Sequence, residues 1–207
     1  TLLAEDVLAV SASGTGSFRY RVRVSGQTAR ATWVDRSGNE IGAESPTSLI
    51  NLVLSPDDRR VAFQDKGDIY LLDVGSGTPT RLTFDPVQDN TPVWSPDGRH
   101  VAFAAGRGSP EGLKLYVKAA SGAGNDEKLL GIERQNLTPM DWSPDGRFLL
   151  YRQNSPTTGF DLWALPLDGD RTPFSVVQSS AEDQEGILVA GIAGDLARRE
   201  VDRVPVQ

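Results

Sequence analysis

Three features of the sequence predict an all-β chain made of repeated four-stranded units. The first is a recurring hexapeptide: Leu54-Ser55-Pro56-Asp57-Asp58-Arg59, then Trp94-Ser95-Pro96-Asp97-Gly98-Arg99, then Trp142-Ser143-Pro144-Asp145-Gly146-Arg147. The copies lie roughly forty to fifty residues apart, the period of radial and stacked repeat architectures. The second feature is the apolar run behind each copy: Val61-Ala62-Phe63, Val101-Ala102-Phe103 and Phe148-Leu149-Leu150-Tyr151. The third is a further β-branched or aromatic run after a polar connection: Asp68-Ile69-Tyr70-Leu71, Lys114-Leu115-Tyr116-Val117 and Asp161-Leu162-Trp163-Ala164. A weaker fourth run, such as Thr80-Arg81-Leu82-Thr83, closes each unit. Four short strands per unit, repeated at this period, read as the blades of a β-propeller.

The turn chemistry supports the reading. Proline presets φ for the first central position of a type I turn, Asp suits the second, and Gly accepts the left-handed conformation that follows. Asp58 replaces that Gly in the first copy, and Asp tolerates positive φ better than most residues. The Trp or Leu before each turn is expected to point into the packing between neighbouring sheets.

A fainter unit precedes the three. Val10-Ser11-Ala12-Ser13-Gly14 lacks the Pro-Asp pair and is followed by the alternating Phe18–Val24 and by Ala31-Thr32-Trp33-Val34-Asp35. Trp33 falls where Tyr70, Tyr116 and Trp163 fall. The expected organisation is one propeller domain over 1–207: a degenerate blade at 5–44, blades at 45–86, 87–132 and 133–179, and an atypical tail or partial blade at 180–207. An N-terminal extension before three blades is the alternative reading of 5–44. In the tail a further Ser-Pro-Asp-Gly is due near residue 187, yet the chain reads Ile187-Leu188-Val189-Ala190-Gly191. The tail is expected to be a truncated or out-of-frame remnant that can still supply a strand through Val201, Val204 and Val206.

Composition removes several function classes. With 21 Lys plus Arg against 28 Asp plus Glu, the formal charge is −7. That balance lacks the basic face that nucleic acid requires and is repelled by an anionic membrane surface. Cysteine is absent, which excludes disulfides, thiolate metal sites and cysteine nucleophiles. No window approaches the roughly 18 apolar residues of a membrane span. Thr1-Leu2-Leu3-Ala4-Glu5-Asp6 is acidic where a signal peptide is basic, so either a cytoplasmic chain or a missing upstream segment is expected.

The Trp-Ser-Pro-Asp-Gly-Arg turn, the apolar strand and the Leu-Tyr or Leu-Trp strand together resemble the TolB-like family of propeller repeats. Arg81-Leu82-Thr83-Phe84-Asp85 leading into Asn90-Thr91-Pro92-Val93-Trp94 is especially similar. The likeness covers about residues 30 to 178. It looks closest to the propellers that lie beyond the membrane segment of some bacterial serine/threonine protein kinases, where a segment like Thr32–Gly42 also precedes the repeats. The resemblance implies an extracytoplasmic setting and a ring of about six blades. Three or four blades form only an open arc, so a homodimer closing the ring end blade to end blade is expected, a two-fold pair being the commonest closed symmetry. A monomer whose tail covers the exposed edge is the alternative.

Catalytic constellations are scarce. His100 is the one histidine and sits just after a turn, where a half-exposed strand residue is expected rather than a base. No Gly-x-Ser-x-Gly elbow or phosphate-binding loop is present. The turn acids Asp57, Asp97 and Asp145 are accounted for by turn geometry. Acids and amides before the innermost strands are the candidates for function: Asp85, Asp89 and Asn90, then Gln135, Asn136 and Asp141, then Glu182, Asp183 and Glu185. Oxygen ligands converging from several blades suit a divalent cation, calcium above all, or zinc or manganese. Asp85, Asp89, Asn90, Asp141, Glu182, Asp183 and Glu185 are therefore the candidate metal ligands. Asp141 stands out because it lies inside a predicted strand, where a carboxylate must face the channel, pair with an arginine or cap a turn. Two functions follow: a binding module for a protein, peptide or small ligand, which is favoured, and a metal-dependent hydrolase of phosphoesters, lactones or similar esters at the channel mouth. A structural fragment with no activity of its own is the third reading.

Overall fold

A computed structural model of the chain describes residues 50–107, 112–155 and 159–177, together with Asn39 and three strands nearer the N-terminus. Those three are β1 (Val7–Ala12), β2 (Phe18–Val22) and β3 (Arg30–Val34), and they form one antiparallel sheet in chain order. The three hexapeptide units each form a four-stranded antiparallel sheet, again in chain order. The first holds β4 (Ile50–Leu54), β5 (Arg60–Asp65), β6 (Asp68–Asp73) and β7 (Pro79–Arg81). The second holds β8 (Asp89–Trp94), β9 (His100–Ala105), β10 (Lys114–Ala119) and β11 (Glu127–Leu130). The third holds β12 (Leu137–Trp142), β13 (Phe148–Ser155), β14 (Gly159–Pro166) and β15 (Phe174–Val177). No helix occurs among the described residues. The expected tail at 180–207, with Glu182, Asp183 and Glu185, lies outside them.

Each hexapeptide turn is held by the same bonds. The Ser55 hydroxyl donates to Asp57 Oδ1 at 2.6 Å and accepts the Arg60 amide at 2.9 Å, while Asp57 Oδ1 also accepts the Arg59 amide at 3.1 Å. Ser95 with Asp97, and Ser143 with Asp145, repeat the pattern. The following position is left-handed in all three, at φ 60° for Asp58, 67° for Gly98 and 77° for Gly146. Each turn acid therefore has a structural task.

Side-chain alternation sends successive strand residues to opposite faces. In β9, Val101 and Phe103 join Ala62, Ile69 and Leu71 in the core between the first and second four-stranded sheets, whereas Ala102 faces Leu149, Tyr151 and Leu165 of the third. Both faces are covered, so these strands read as unbroken apolar runs instead of alternating ones. Trp94 lies in the first of these cores, with Trp142 packed at the edge of the second. Cross-strand aromatic pairs reinforce two sheets: Phe63 stacks on Tyr70 at 5.6 Å and Phe103 on Tyr116 at 6.0 Å between centroids.

The far face of the third sheet carries Phe148, Leu150, Ala164 and Phe174, none more than 8% exposed in the single chain. β8 packs beside both β4 and β12, and β1 packs beside β4, so the first strand of every sheet lies nearest a common axis.

Candidate binding groove

β4, β8 and β12 are each the edge of a sheet, with one hydrogen-bonded neighbour and the other side turned toward the axis. An open edge is a template for another strand unless something blocks it. Here Pro92 and Pro139 remove amide donors from β8 and β12, and register shifts interrupt all three inner ladders. The irregularity is carried in part by Asn51 and Thr91, which occupy matching positions at φ 50° and 51°. Asn tolerates that conformation, but for β-branched Thr91 it is a strained one. Strain and bulges of this kind re-aim side chains and stop strand pairing. Whatever binds along the inner strands therefore meets side chains, not an added-strand ladder.

The inner strands enclose a groove of about 720 Å³. Its walls come mainly from Asn51–Leu54, Thr91–Trp94 and Pro139–Trp142, and they mix apolar side chains with the polar Asn51, Asp58, Thr91 and Asp141. Met140 is 41% exposed in it. Asp141 is its distinctive polar group. The Trp142 amide donates to Asp141 Oδ1 at 2.8 Å, and no cationic side chain among the described residues pairs with this carboxylate. Burial pushes its pKa above the ordinary value, and the single amide bond offsets only part of the rise. Of the three options for Asp141, facing the axis and accepting a local amide are the ones realised.

Asp85 and Asp89 are brought together elsewhere, around a cation of the protein's own. Arg107 reaches Asp89 in a fork, Nη2 to Oδ2 at 2.6 Å and Nε to Oδ1 at 3.2 Å. Its Nε also lies 3.6 Å from Asp85 Oδ2, and Nη1 donates to Asp126. Lys118 Nζ lies 3.0 Å from Asp126 Oδ1 and adds a second positive charge beside it. The Arg107 guanidinium sits over the rings of Tyr116 and Phe103, 5.0 and 5.3 Å from their centroids. Asp89 is fully buried, and burial raises its pKa despite the bonds from Arg107 and Thr83. Burial pushes the Asp126 carboxyl up as well, but Arg107 and Lys118 outweigh it and leave the pKa below the usual value.

The remaining candidates are dispersed. The Asn90 amide oxygen accepts the Thr91 hydroxyl at 3.2 Å, and the Asn136 oxygen accepts the Leu113 amide at 2.9 Å. Gln135 Oε1 is buried without a hydrogen-bond donor among the described residues. Among the described residues no group of three or more His, Cys, Asp or Glu is arranged to hold a metal ion. His100 is exposed on β9, at the start of the strand. Sequence reasoning missed Arg107, Lys118 and Asp126. The available signal was the need of closely spaced acids beside an apolar strand for a countercharge, with Arg107 just after that strand.

No protein-family model matches the chain. Tricorn protease homolog 1 of Streptomyces coelicolor is 30% identical over 145 residues, which is 67% of this chain and 13% of that protein. One component of eukaryotic translation initiation factor 3, from Cryptococcus neoformans, is 32% identical over 112 residues, 46% of this chain and 15% of that one. The chain thus spans well under half the length of these curated relatives. Among solved structures, TolB from Acinetobacter baumannii superposes with a TM-score of 0.70 at 17% identity, covering 83% of this chain and 43% of that one. Sheet order, inner-strand geometry and this superposition agree: the chain is an arc of a TolB-like β-propeller.

Proposed function

We propose that the arc is an interaction module that holds a protein segment, peptide or small ligand in the groove along β4, β8 and β12. The observation that carries this reading is the groove itself: about 720 Å³, with apolar side chains interspersed with Asn51, Asp58, Thr91 and the half-buried Asp141. Ligand sites have typical volumes of about 300–1,000 Å³ and combine apolar walls with a few placed polar groups. The interrupted inner ladders favour recognition through side chains. A hydrolytic reading draws no support from Asp85 and Asp89, because Arg107 already lies between them.

Peptides selected by display on the purified chain test the reading. Enriched sequences are expected to bind the wild type and to lose at least about tenfold in affinity with Met140→Trp, which fills the groove from an exposed position. Failure to enrich any peptide whose binding depends on Met140 overturns it.

A further inference from the structure

The repeat contains its own control for a second site on the turn side of the arc. Between the first two hexapeptide units, the Arg60 guanidinium lies 4.9 Å over the Trp94 ring and donates to Gly98 O at 2.9 Å and Ala120 O at 3.0 Å. Arg60 thus clamps one sheet to the next through an aromatic face and two carbonyls. One unit further on, the stacking of the turns is preserved. Pro56 lies 3.7 Å from the position of a Cβ on Gly98, and Pro96 lies 3.7 Å from that on Gly146. The strand position that Arg60 occupies is His100, however, whose side chain is too short to make the clamp.

The consequence is a groove of about 380 Å³, bordered by Pro96, Asp97, His100, Trp142, Asp145 and Gly146. At Trp142 and Gly146 this matches the space that Arg60 fills one unit earlier at Trp94 and Gly98, although Leu167, the counterpart of Ala120, does not border it. Trp142 has also changed partner. Trp94 Nε1 donates to Val53 O, but Trp142 Nε1 donates to Gly146 O at 3.1 Å, the carbonyl that corresponds to the one capped by Arg60. Even so Trp142 is only half-buried, whereas Trp94 is 5% exposed. Two carboxylates stand at the rim. Hydroxyl bonds from Ser95 and Ser143 hold Asp97 and Asp145 below the ordinary carboxylate range, so both are ionised at neutral pH.

We infer that this groove between the second and third four-stranded sheets receives an arginine side chain from a partner protein, which takes the place that Arg60 takes within the chain. The Trp142 ring supplies a cation–π face, the Gly146 carbonyl retains a second lone pair, and Asp97 and Asp145 supply the opposite charge. The planar fork of a guanidinium matches this arrangement, whereas the single point charge of lysine does not. Pro96, Trp142 and Pro144 border both grooves, whereas His100 borders only this one, so His100→Arg is the variant that separates the two sites.

The test is a titration of ¹⁵N-labelled protein with acetyl-Gly-Arg-Gly-amide, read at the Trp142 indole N–H, which Trp142→Phe assigns. A saturable shift is expected, with the lysine peptide at least about tenfold weaker. His100→Arg should fill the groove from within and weaken the arginine peptide at least about tenfold, because Arg60 already shows this residue fits there. Its thermal midpoint checks that the variant is folded. No shift with the arginine peptide, equal response to lysine, or an unchanged response in folded His100→Arg each overturns the assignment.

Discussion

Replacing Arg107 with methionine would test whether the acidic cluster before β8 is a structural ion network. Asp89 has no exposed side-chain surface, and the side chains of Arg107 and Asp126 are 13% and 12% exposed. Methionine keeps much of the apolar stem against Phe103 and Tyr116 but leaves Asp89 buried without its cation. Removing one partner of a buried pair costs about 3–5 kcal/mol, a large part of a total stability of about 5–15 kcal/mol. At about 2–4 °C per kcal/mol for a domain of this size, the midpoint should fall by roughly 6–20 °C. The pH dependence has a definite sign. Without its cation Asp89 is governed by burial, so its folded-state pKa rises further above the unfolded value. A carboxyl of that kind binds a proton more readily in the folded state, so the penalty is full above the folded pKa and shrinks as pH falls through it. Adding Asp89→Asn to Arg107→Met should recover about half of the loss, since a neutral amide leaves no uncompensated charge. Urea unfolding of the three variants between neutral pH and about pH 4 measures this. A loss below about 1 kcal/mol for Arg107→Met, or one that is independent of pH, refutes the reasoning.

Two further substitutions probe the groove and the core. Tyr151 is fully buried, its hydroxyl has no hydrogen-bond partner among the described residues, and Phe63 and Phe103 fill the matching positions of the other sheets. Tyr151→Phe is therefore expected to be neutral or to stabilise by about 1 kcal/mol in urea unfolding, and a loss above that would show the hydroxyl has a partner. Asp141→Asn retains an oxygen for the Trp142 amide and removes a carboxylate whose pKa burial has raised. It should stabilise the chain by about 1 kcal/mol near pH 7, the gain vanishing as pH falls through the folded pKa and the wild-type carboxyl takes up its proton. Equal unfolding midpoints for the two proteins at pH 7 would contradict that account.

The turns were legible in the sequence because their chemistry is local. Ser55, Asp57 and Arg60 close their bonds within six consecutive residues, so composition and spacing carry the whole arrangement. Asp141 was legible as an anomaly, a carboxylate inside a strand, and it lines the groove. Asp85 and Asp89 were recognised as a pair, but their partner was not. Arg107 reaches Asp89 across 18 residues, because the β8–β9 register sets Asp89 opposite Ala105, two residues before the arginine.

The sequence by itself determined the architecture. Turn residues set where strands begin and end, and unbroken apolar runs imply sheets covered on both faces. Only the tertiary structure decided which groups meet between sheets. Arg60 bonds to Ala120 O, sixty residues away, while His100 leaves the equivalent space open. The physical reason is range. A turn is settled by bonds among neighbours, whereas a contact between blades depends on the stagger of two separately formed sheets, and one change of side-chain length there converts a clamp into a groove.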